Sequence, residues 1–95
     1  MLFRSYPASV CISVNEEIVH GIPKKNRRLA DGDVVSLDAG ILKDGFHSDA
    51  ARTYIIGEGT EMTRTLVSTA EECFWQGVSF AKAGHYLHEI SAAYR

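Results

Sequence analysis

The sequence predicts an α+β fold in which an antiparallel sheet comes first and two helices follow and pack on one of its faces. Two observations support this prediction. Side chains in residues 10–15 and 34–56 alternate with a period of two, whereas the apolar period near the C-terminus is 3.6. The expected organisation is one domain, with strands and loops in residues 1–59 and helices in residues 60–95.

The first predicted strand covers residues 10–15, where two sets of side chains alternate: Val10, Ile12 and Val14 on one face, and Cys11, Ser13 and Asn15 on the other. A short apolar run at Ile18-Val19 then ends at a Gly-Ile-Pro turn. The four basic residues in 24–28 are interpreted as a solvated connection, because a nucleic-acid site would require interleaved aromatic side chains. A further turn, Asp31-Gly32-Asp33, leads into the next strand.

A β-hairpin over residues 34–56 is the most specific local prediction. Asp44-Gly45 separates two alternating runs, and this dipeptide favours a type I′ turn, in which both central residues have positive φ. Counting outward from the turn gives the pairs Lys43 and Phe46, Gly40 and Asp49, and Asp38 and Ala51. Asp38 and Asp49 are then diagonal neighbours on one face, roughly 7 to 8 Å apart at Cα.

The two faces of this hairpin differ in chemistry. One face carries an almost wholly apolar set that we expect to pack on the helices: Val35, Leu37, Ala39, Ile41, Phe46, Ala50 and Tyr54. The other face carries the two aspartates together with Ser36, Gly40, His47 and Thr53. Two carboxylates at this spacing can converge on a shared metal ion, but a solvated pair satisfies the same pattern. Spacing alone leaves both interpretations open.

A long amphipathic helix is predicted from Glu61 to Ala83, with Thr60 as its N-cap and with Lys82 and Gly84 at its end. Its apolar stripe consists of Met62, Leu66, Val67, Ala70, Cys73, Phe74, Gly77, Val78 and Ala81. Because Trp75 lies off the centre of this stripe, we expect it at a boundary or against a partner.

A second helix is predicted to begin near Tyr86, with one apolar face made of Leu87, Ile90 and Tyr94. His85 and His88 flank its start. Two histidines three residues apart can form an exposed metal pair, although surface histidines at a helix N-terminus are the commoner arrangement.

The composition is that of an ordinary globular protein. A net charge of −2, with 45% hydrophobic and 23% charged residues, shows no bias toward nucleic acid or anionic membranes. Cys11 and Cys73 form no CxxC pattern, so free thiols in a reducing compartment are expected. With neither a secretory signal nor an apolar run of roughly 18 residues, the expected location is cytoplasmic.

Two blocks of the sequence resemble the first half of a type I methionine aminopeptidase: SVCISVNEEIVHGIP at residues 9–23 and DGDVVSLDAGILKDGFHSDAART at residues 31–53. The similarity extends from about Tyr6 to the C-terminus without gaps. Prolidase and aminopeptidase P share the paired aspartates, but their first block differs. The resemblance implies the N-terminal half of a pita-bread fold and removal of the initiator methionine from nascent proteins.

The resemblance also implies residue roles. Asp38 is expected to be the bidentate ligand of one metal ion, and Asp49 the carboxylate that bridges two. His20 is the expected catalytic histidine, which hydrogen-bonds substrate near the scissile amide. Tyr6 and Cys11 are expected to line the pocket for the methionine side chain. For His20, Tyr6 and Cys11, a loop-end histidine, a packed aromatic ring and a buried thiol remain alternatives.

Two divalent ions of the Mn, Fe, Co or Zn class are the implied cofactors of the complete enzyme, and its partner is a peptide or nascent chain that begins with methionine. The affinity order of these metals cannot choose among them. His47 is not a ligand in the family, so we expect it to make hydrogen bonds near the site. A fragment of an X-Pro-specific pita-bread peptidase and a non-catalytic pita-bread module are the alternative functions.

The resemblance further implies that residues 1–95 are a truncated domain. The family's other ligands, one histidine and two glutamates, belong to the second half of the fold, so the chain alone is expected to be inactive and to bind metal weakly or not at all. Family members also carry helices and a strand before the position of Tyr6. Uncovered sheet edges then suggest a homo-oligomer that imitates the missing half.

Overall fold

The computed structural model describes residues 9–94 and contains three strands followed by two helices: β1 (Cys11–Val14), β2 (Val34–Lys43), β3 (Phe46–Ile55), α1 (Glu61–Val78) and α2 (Leu87–Tyr94). The α+β class is as predicted. The chain forms two compact units, Met1–Thr60 and Glu61–Arg95. Tyr6 lies outside the described residues.

The sheet is antiparallel in the order β1-β2-β3, and its hairpin has the predicted register. Lys43 pairs with Phe46, Gly40 with Asp49, and Asp38 with Ala51. Asp44 and Gly45 have φ values of 53° and 81°, as a type I′ turn requires. Because side chains alternate along each strand, this register fixes which side chains share a face with the aspartates.

The connection between β1 and β2 is closed by the side chain of Asn15. Asn15 Oδ1 accepts a hydrogen bond from the Val34 N–H at 2.9 Å, and Asn15 Nδ2 donates one to Asp33 Oδ1 at 3.1 Å. Asp33 Oδ2 accepts from the Ala30 N–H, which confirms the predicted turn. These bonds place β1 beside β2 with Cys11 opposite Asp38.

The buried part of the sheet is small and includes both faces of β1. Cys11, Ser13 and Val14 are buried, as is Val35 on β2. Four large side chains of the apolar hairpin face are exposed: Leu37, Ile41, Phe46 and Tyr54. Periodicity identifies an apolar face, but it does not determine how far each side chain on that face is buried.

Helix α1 begins at Glu61 as predicted but ends at Val78, five residues before the predicted end at Ala83. Beyond Val78 the backbone forms tighter turns, with the Phe80 N–H bonded to Gly77 O and the Ala81 N–H to Val78 O. Gly84 does have a positive φ of 89°, but it lies in the turn before α2. Gly84 therefore does not end α1, although its position after the apolar stripe predicted that it would.

Helix α2 packs on α1 at Gly77, which is buried. A Cβ atom at Gly77 would lie 3.1 Å from Tyr94 Cδ2 and 3.5 Å from Ile90 Cγ2, so this glycine lets the two helices approach closely. Most large members of the predicted α1 stripe are exposed instead: Met62, Leu66, Phe74 and Val78. Trp75 is 57% exposed and contacts the Phe74 ring edge to face, so its predicted position off the core is confirmed.

Of the two histidines at the start of α2, His85 takes part in its N-terminal cap and His88 lies within the helix. Glu89 Oε2 accepts the Tyr86 N–H at 3.0 Å and lies 2.7 Å from His85 Nδ1, and the rings of His88 and Tyr86 stack. The Tyr86 N–H, followed by the His85 ring, lowers the pKa of Glu89. The structure therefore favours the capping interpretation over a metal pair. Neither described helix is long and apolar enough to cross a membrane.

Candidate metal centre

The hairpin brings the side chains of Asp38 and Asp49 into hydrogen-bonding contact across β2 and β3. Asp49 lies opposite Gly40, two residues along β2 from Asp38, and the absence of a side chain at Gly40 leaves the two carboxyl groups facing each other. The diagonal arrangement predicted from the Asp-Gly turn is confirmed.

The electrostatics of the pair favour a positive charge between the two groups. Burial raises the pKa of Asp38 above its ordinary value, and the Asp49 carboxylate raises it further by repulsion and by the hydrogen bond. The nearby His20 opposes these effects. A cation between two such carboxylates would relieve their repulsion.

The donor set fits part of a divalent-metal site. Carboxylate oxygens suit hard and borderline divalent ions, and two of them converge here. Within residues 9–94 no group of three or more histidine, cysteine, aspartate or glutamate side chains is arranged to hold a metal ion. The two aspartates are therefore candidate ligands.

Cys11 lies beside Asp38. It is the direct partner of Asp38 in the pairing of β1 with β2, and its thiol is buried. Cross-strand partners present their side chains on the same face, so the thiol and the Asp38 carboxylate are neighbours. Both Cys11 and Cys73 are free, as expected.

His20 belongs to the connection that follows β1 and is exposed. Its charge opposes the rise in the pKa of Asp38. Its φ of 60° lies in the left-handed region, which residues other than glycine seldom adopt and which is common at functional sites. The apolar run at Ile18-Val19 lies in this connection, and both of its side chains are exposed.

Two further predicted residues have different outcomes. His47 pairs with Leu42 and lies on the face that carries the aspartates, as the register predicted. The predicted pocket residue Tyr6 is not among residues 9–94.

An open concavity of about 590 Å³ lies along α1, lined by Glu61, Met62, Thr65, Leu66 and Thr69. None of the predicted site residues lines it, so the chemistry of the carboxylate pair is the better guide to the site.

Sequence patterns alone did not indicate a role for Ser13 or Gly21. Ser13 is 4% exposed, and its Oγ accepts the Gly21 N–H at 3.0 Å. The sequence signal for Ser13 was a polar side chain in an otherwise apolar strand, on the face that carries the aspartates. Its partner could not be inferred, because the loop that carries Gly21 has no periodicity.

Comparison with known proteins agrees with this geometry. The sequence profile of metallopeptidase family M24 matches residues 1–95. The chain belongs to this family. Among its relatives, the methionine aminopeptidase of Clostridium acetobutylicum is 45% identical over 89 residues, which are 94% of this chain and 36% of that protein. The methionine aminopeptidase of Escherichia coli K12 is 42% identical over 91 residues, which are 96% of this chain and 34% of that protein.

Solved structures show the same relationship for the M24 chain. Methionine aminopeptidase from Thermotoga maritima matches with a TM-score of 0.84 and 40% identity, over 88% of this chain and 34% of that one. Prolidase from Pyrococcus furiosus matches with a TM-score of 0.80 and 26% identity, over 92% of this chain and 26% of that one. The M24 chain thus has part of a pita-bread fold and spans about a third of the length of its curated relatives.

Proposed function

We propose that this chain supplies the Asp38 and Asp49 ligands of a metallopeptidase that removes the N-terminal methionine of nascent proteins. The register that makes Asp38 and Asp49 diagonal neighbours on one face of the hairpin is the observation that carries this proposal. Curated methionine aminopeptidases that are 40–45% identical to this chain favour methionine over X-Pro substrates. Among solved structures, methionine aminopeptidases are 23–40% identical and prolidases 25–26%.

Each site residue has a role in this proposal. Asp38 and Asp49 would hold divalent ions of the Mn, Fe, Co or Zn class, with Asp38 on one ion and Asp49 shared by two. When bound, such ions supply a nucleophile at neutral pH and polarise the scissile carbonyl. His20 donates a hydrogen bond to the substrate near the scissile amide. Cys11 and Tyr6 line the pocket for the methionine side chain.

His47 makes hydrogen bonds near the ligands without binding metal itself. The proposal treats residues 1–95 as part of a single pita-bread domain. The remaining ligands and the general base then come from polypeptide outside these residues. The free thiols Cys11 and Cys73 are consistent with a cytoplasmic location.

A second proposal concerns the 95-residue chain by itself, which we expect to form a homo-oligomer. β3 is ten residues long and lies at the edge of the sheet, so its outer backbone groups can pair with another copy. Light scattering of the purified chain tests this proposal. A dimer or larger assembly supports it, and a well-folded monomer contradicts it.

The proposed activity is tested on the polypeptide that the natural gene encodes, here called the natural polypeptide. With Mn²⁺ present, we expect it to release methionine from Met-Ala-Ser and to leave Gly-Pro intact. Asp38→Asn should abolish release, whereas Asp44→Asn, which changes a carboxylate at the hairpin turn, should not. Cleavage of Gly-Pro alone would support the X-Pro alternative, and cleavage of neither peptide would support a non-catalytic module.

A further inference from the structure

The segment that carries His20 is fastened to β1 through the backbone of Gly21. The Ile12 N–H donates a hydrogen bond to Gly21 O at 2.9 Å, and the Gly21 N–H donates one to Ser13 Oγ at 3.0 Å. One residue of the loop therefore contacts two consecutive residues of the strand. The first bond involves only backbone atoms, but the second depends on the side chain of Ser13.

The contact between Gly21 and β1 is too close for any side chain at this position. A Cβ atom on Gly21 would lie 2.1 Å from Ile12 O and 2.8 Å from Ser13 Cα. Both neighbours are backbone atoms of a paired strand, so they cannot rotate away as a side chain would. The position of the loop at Gly21 is thus set by direct backbone packing.

Ser13 connects this loop to the metal centre. It is buried at 4% exposure and pairs with Ser36, two residues before Asp38 on β2. Its side chain therefore lies on the same face as the carboxylate pair. The residue before Gly21 is His20, whose positive φ needs support from its surroundings.

We propose that Ser13 is a positioning residue, whose hydroxyl accepts the Gly21 N–H and so holds His20 in its left-handed conformation. The hydrogen bond fixes the peptide unit between His20 and Gly21, and this unit determines where the imidazole can reach. The expected effect on catalysis rests on the proposed function, in which His20 contacts the substrate.

A double-mutant cycle on the natural polypeptide tests the catalytic consequence with Met-Ala-Ser as substrate. Ser13→Ala should lower kcat by about tenfold and change KM by less than about twofold, because His20 acts on the transition state. In a His20→Ala background, the same substitution should change kcat by less than about twofold. An equal loss in both backgrounds, or no loss when His20 is present, would overturn the proposal.

Ser36→Ala is the matched control for this cycle. It removes a hydroxyl from the residue opposite Ser13 on the same face, but this hydroxyl bonds Thr53 Oγ1 at 2.9 Å and not the His20 segment. We expect kcat of Ser36→Ala to stay within about twofold of the unsubstituted enzyme. A loss of kcat as large as that of Ser13→Ala would show that removing either hydroxyl on this face has the same effect. This result would contradict the proposal.

A measurement on the 95-residue chain is independent of activity. By NMR, Ser13→Ala should speed hydrogen exchange at the Gly21 amide and change the His20 coupling that reports φ, whereas Ser36→Ala should change neither. If Ser13→Ala does not fold, Ser13→Cys keeps the shape of the side chain with a much weaker acceptor. Unchanged exchange and coupling in the folded variant would overturn the proposal, even if Asp38→Asn had confirmed the activity.

Discussion

Asn15 and Asp33 are joined side chain to side chain at 3.1 Å, across the two ends of the connection between β1 and β2. Asn15 also bonds the backbone of Val34 in both directions, through its own N–H and through Oδ1. This residue therefore sets the register that places Cys11 opposite Asp38. Its φ of 53° also favours asparagine at this position, because asparagine adopts the left-handed region more readily than most residues.

The first prediction concerns the stability of this connection. Asn15→Ala removes two side-chain hydrogen bonds and places alanine at a positive φ, so it should lower the free energy of unfolding by about 2 kcal/mol. Asn15→Gly keeps the backbone conformation and should recover part of the loss. Urea denaturation of the 95-residue chain measures both variants. Equal stability of the original chain and Asn15→Gly would contradict a role for the side-chain bonds.

The second prediction compares two glycines in the same unit. Gly21→Ala should cost about 3 kcal/mol or more, because its Cβ meets the Ile12 carbonyl at 2.1 Å. Gly32→Ala is the control, since its Cβ meets nothing within 4 Å and only the φ of 89° opposes it. Its cost should be about 1 kcal/mol. Similar urea midpoints for the two variants would show that the loop at Gly21 packs less closely on β1.

The third prediction concerns pH. The Val14 N–H and then Arg27, which lies 2.6 Å away, lower the pKa of Glu17. A carboxyl group whose pKa is lower in the folded state contributes stability above its ordinary pKa and loses it as pH falls. Glu17→Gln should therefore be less stable than the original chain at pH 7. This difference in stability should shrink as pH falls from about 5 to about 2.

Two other carboxyl groups of this unit change the overall pH profile. The Ala30 N–H and Asn15 lower the pKa of Asp33, so this group acts in the same direction as Glu17. Asp38 acts in the opposite direction, since its raised pKa means that its contribution is present when protonated and is lost as pH rises. Comparing the original chain with Glu17→Gln isolates the contribution of Glu17. A difference in the free energy of unfolding between the two that grows toward low pH would contradict the lowered pKa of Glu17.

The fourth prediction is that the 95-residue chain alone releases no methionine from Met-Ala-Ser in the presence of Mn²⁺. Residues 9–94 contain no group of three metal-ligating side chains, and two carboxylates alone hold a divalent ion weakly. The methionine aminopeptidase of Escherichia coli K12, assayed in parallel, is the positive control. Metal-dependent release by the purified chain would contradict this prediction.

Local sequence signals predicted the hairpin and the carboxylate pair well, because an Asp-Gly turn and a period of two determine register directly. They failed where structure depends on contacts distant in sequence. Gly21 contacts β1 eight residues away, and the end of α1 at Val78 depends on turns that its apolar period does not encode. Burial of the hairpin face was also beyond the pattern, since Phe46 has the predicted orientation but is 80% exposed.

The affinity of the natural polypeptide for Mn²⁺, followed by the electron paramagnetic resonance signal of the free ion, tests the central claim most directly. If Asp38 and Asp49 hold the metal together, Asp38→Asn and Asp49→Asn should each weaken binding by about tenfold or more, and Asp44→Asn should leave it unchanged. Unchanged Mn²⁺ affinity in either Asp38→Asn or Asp49→Asn would contradict the claim.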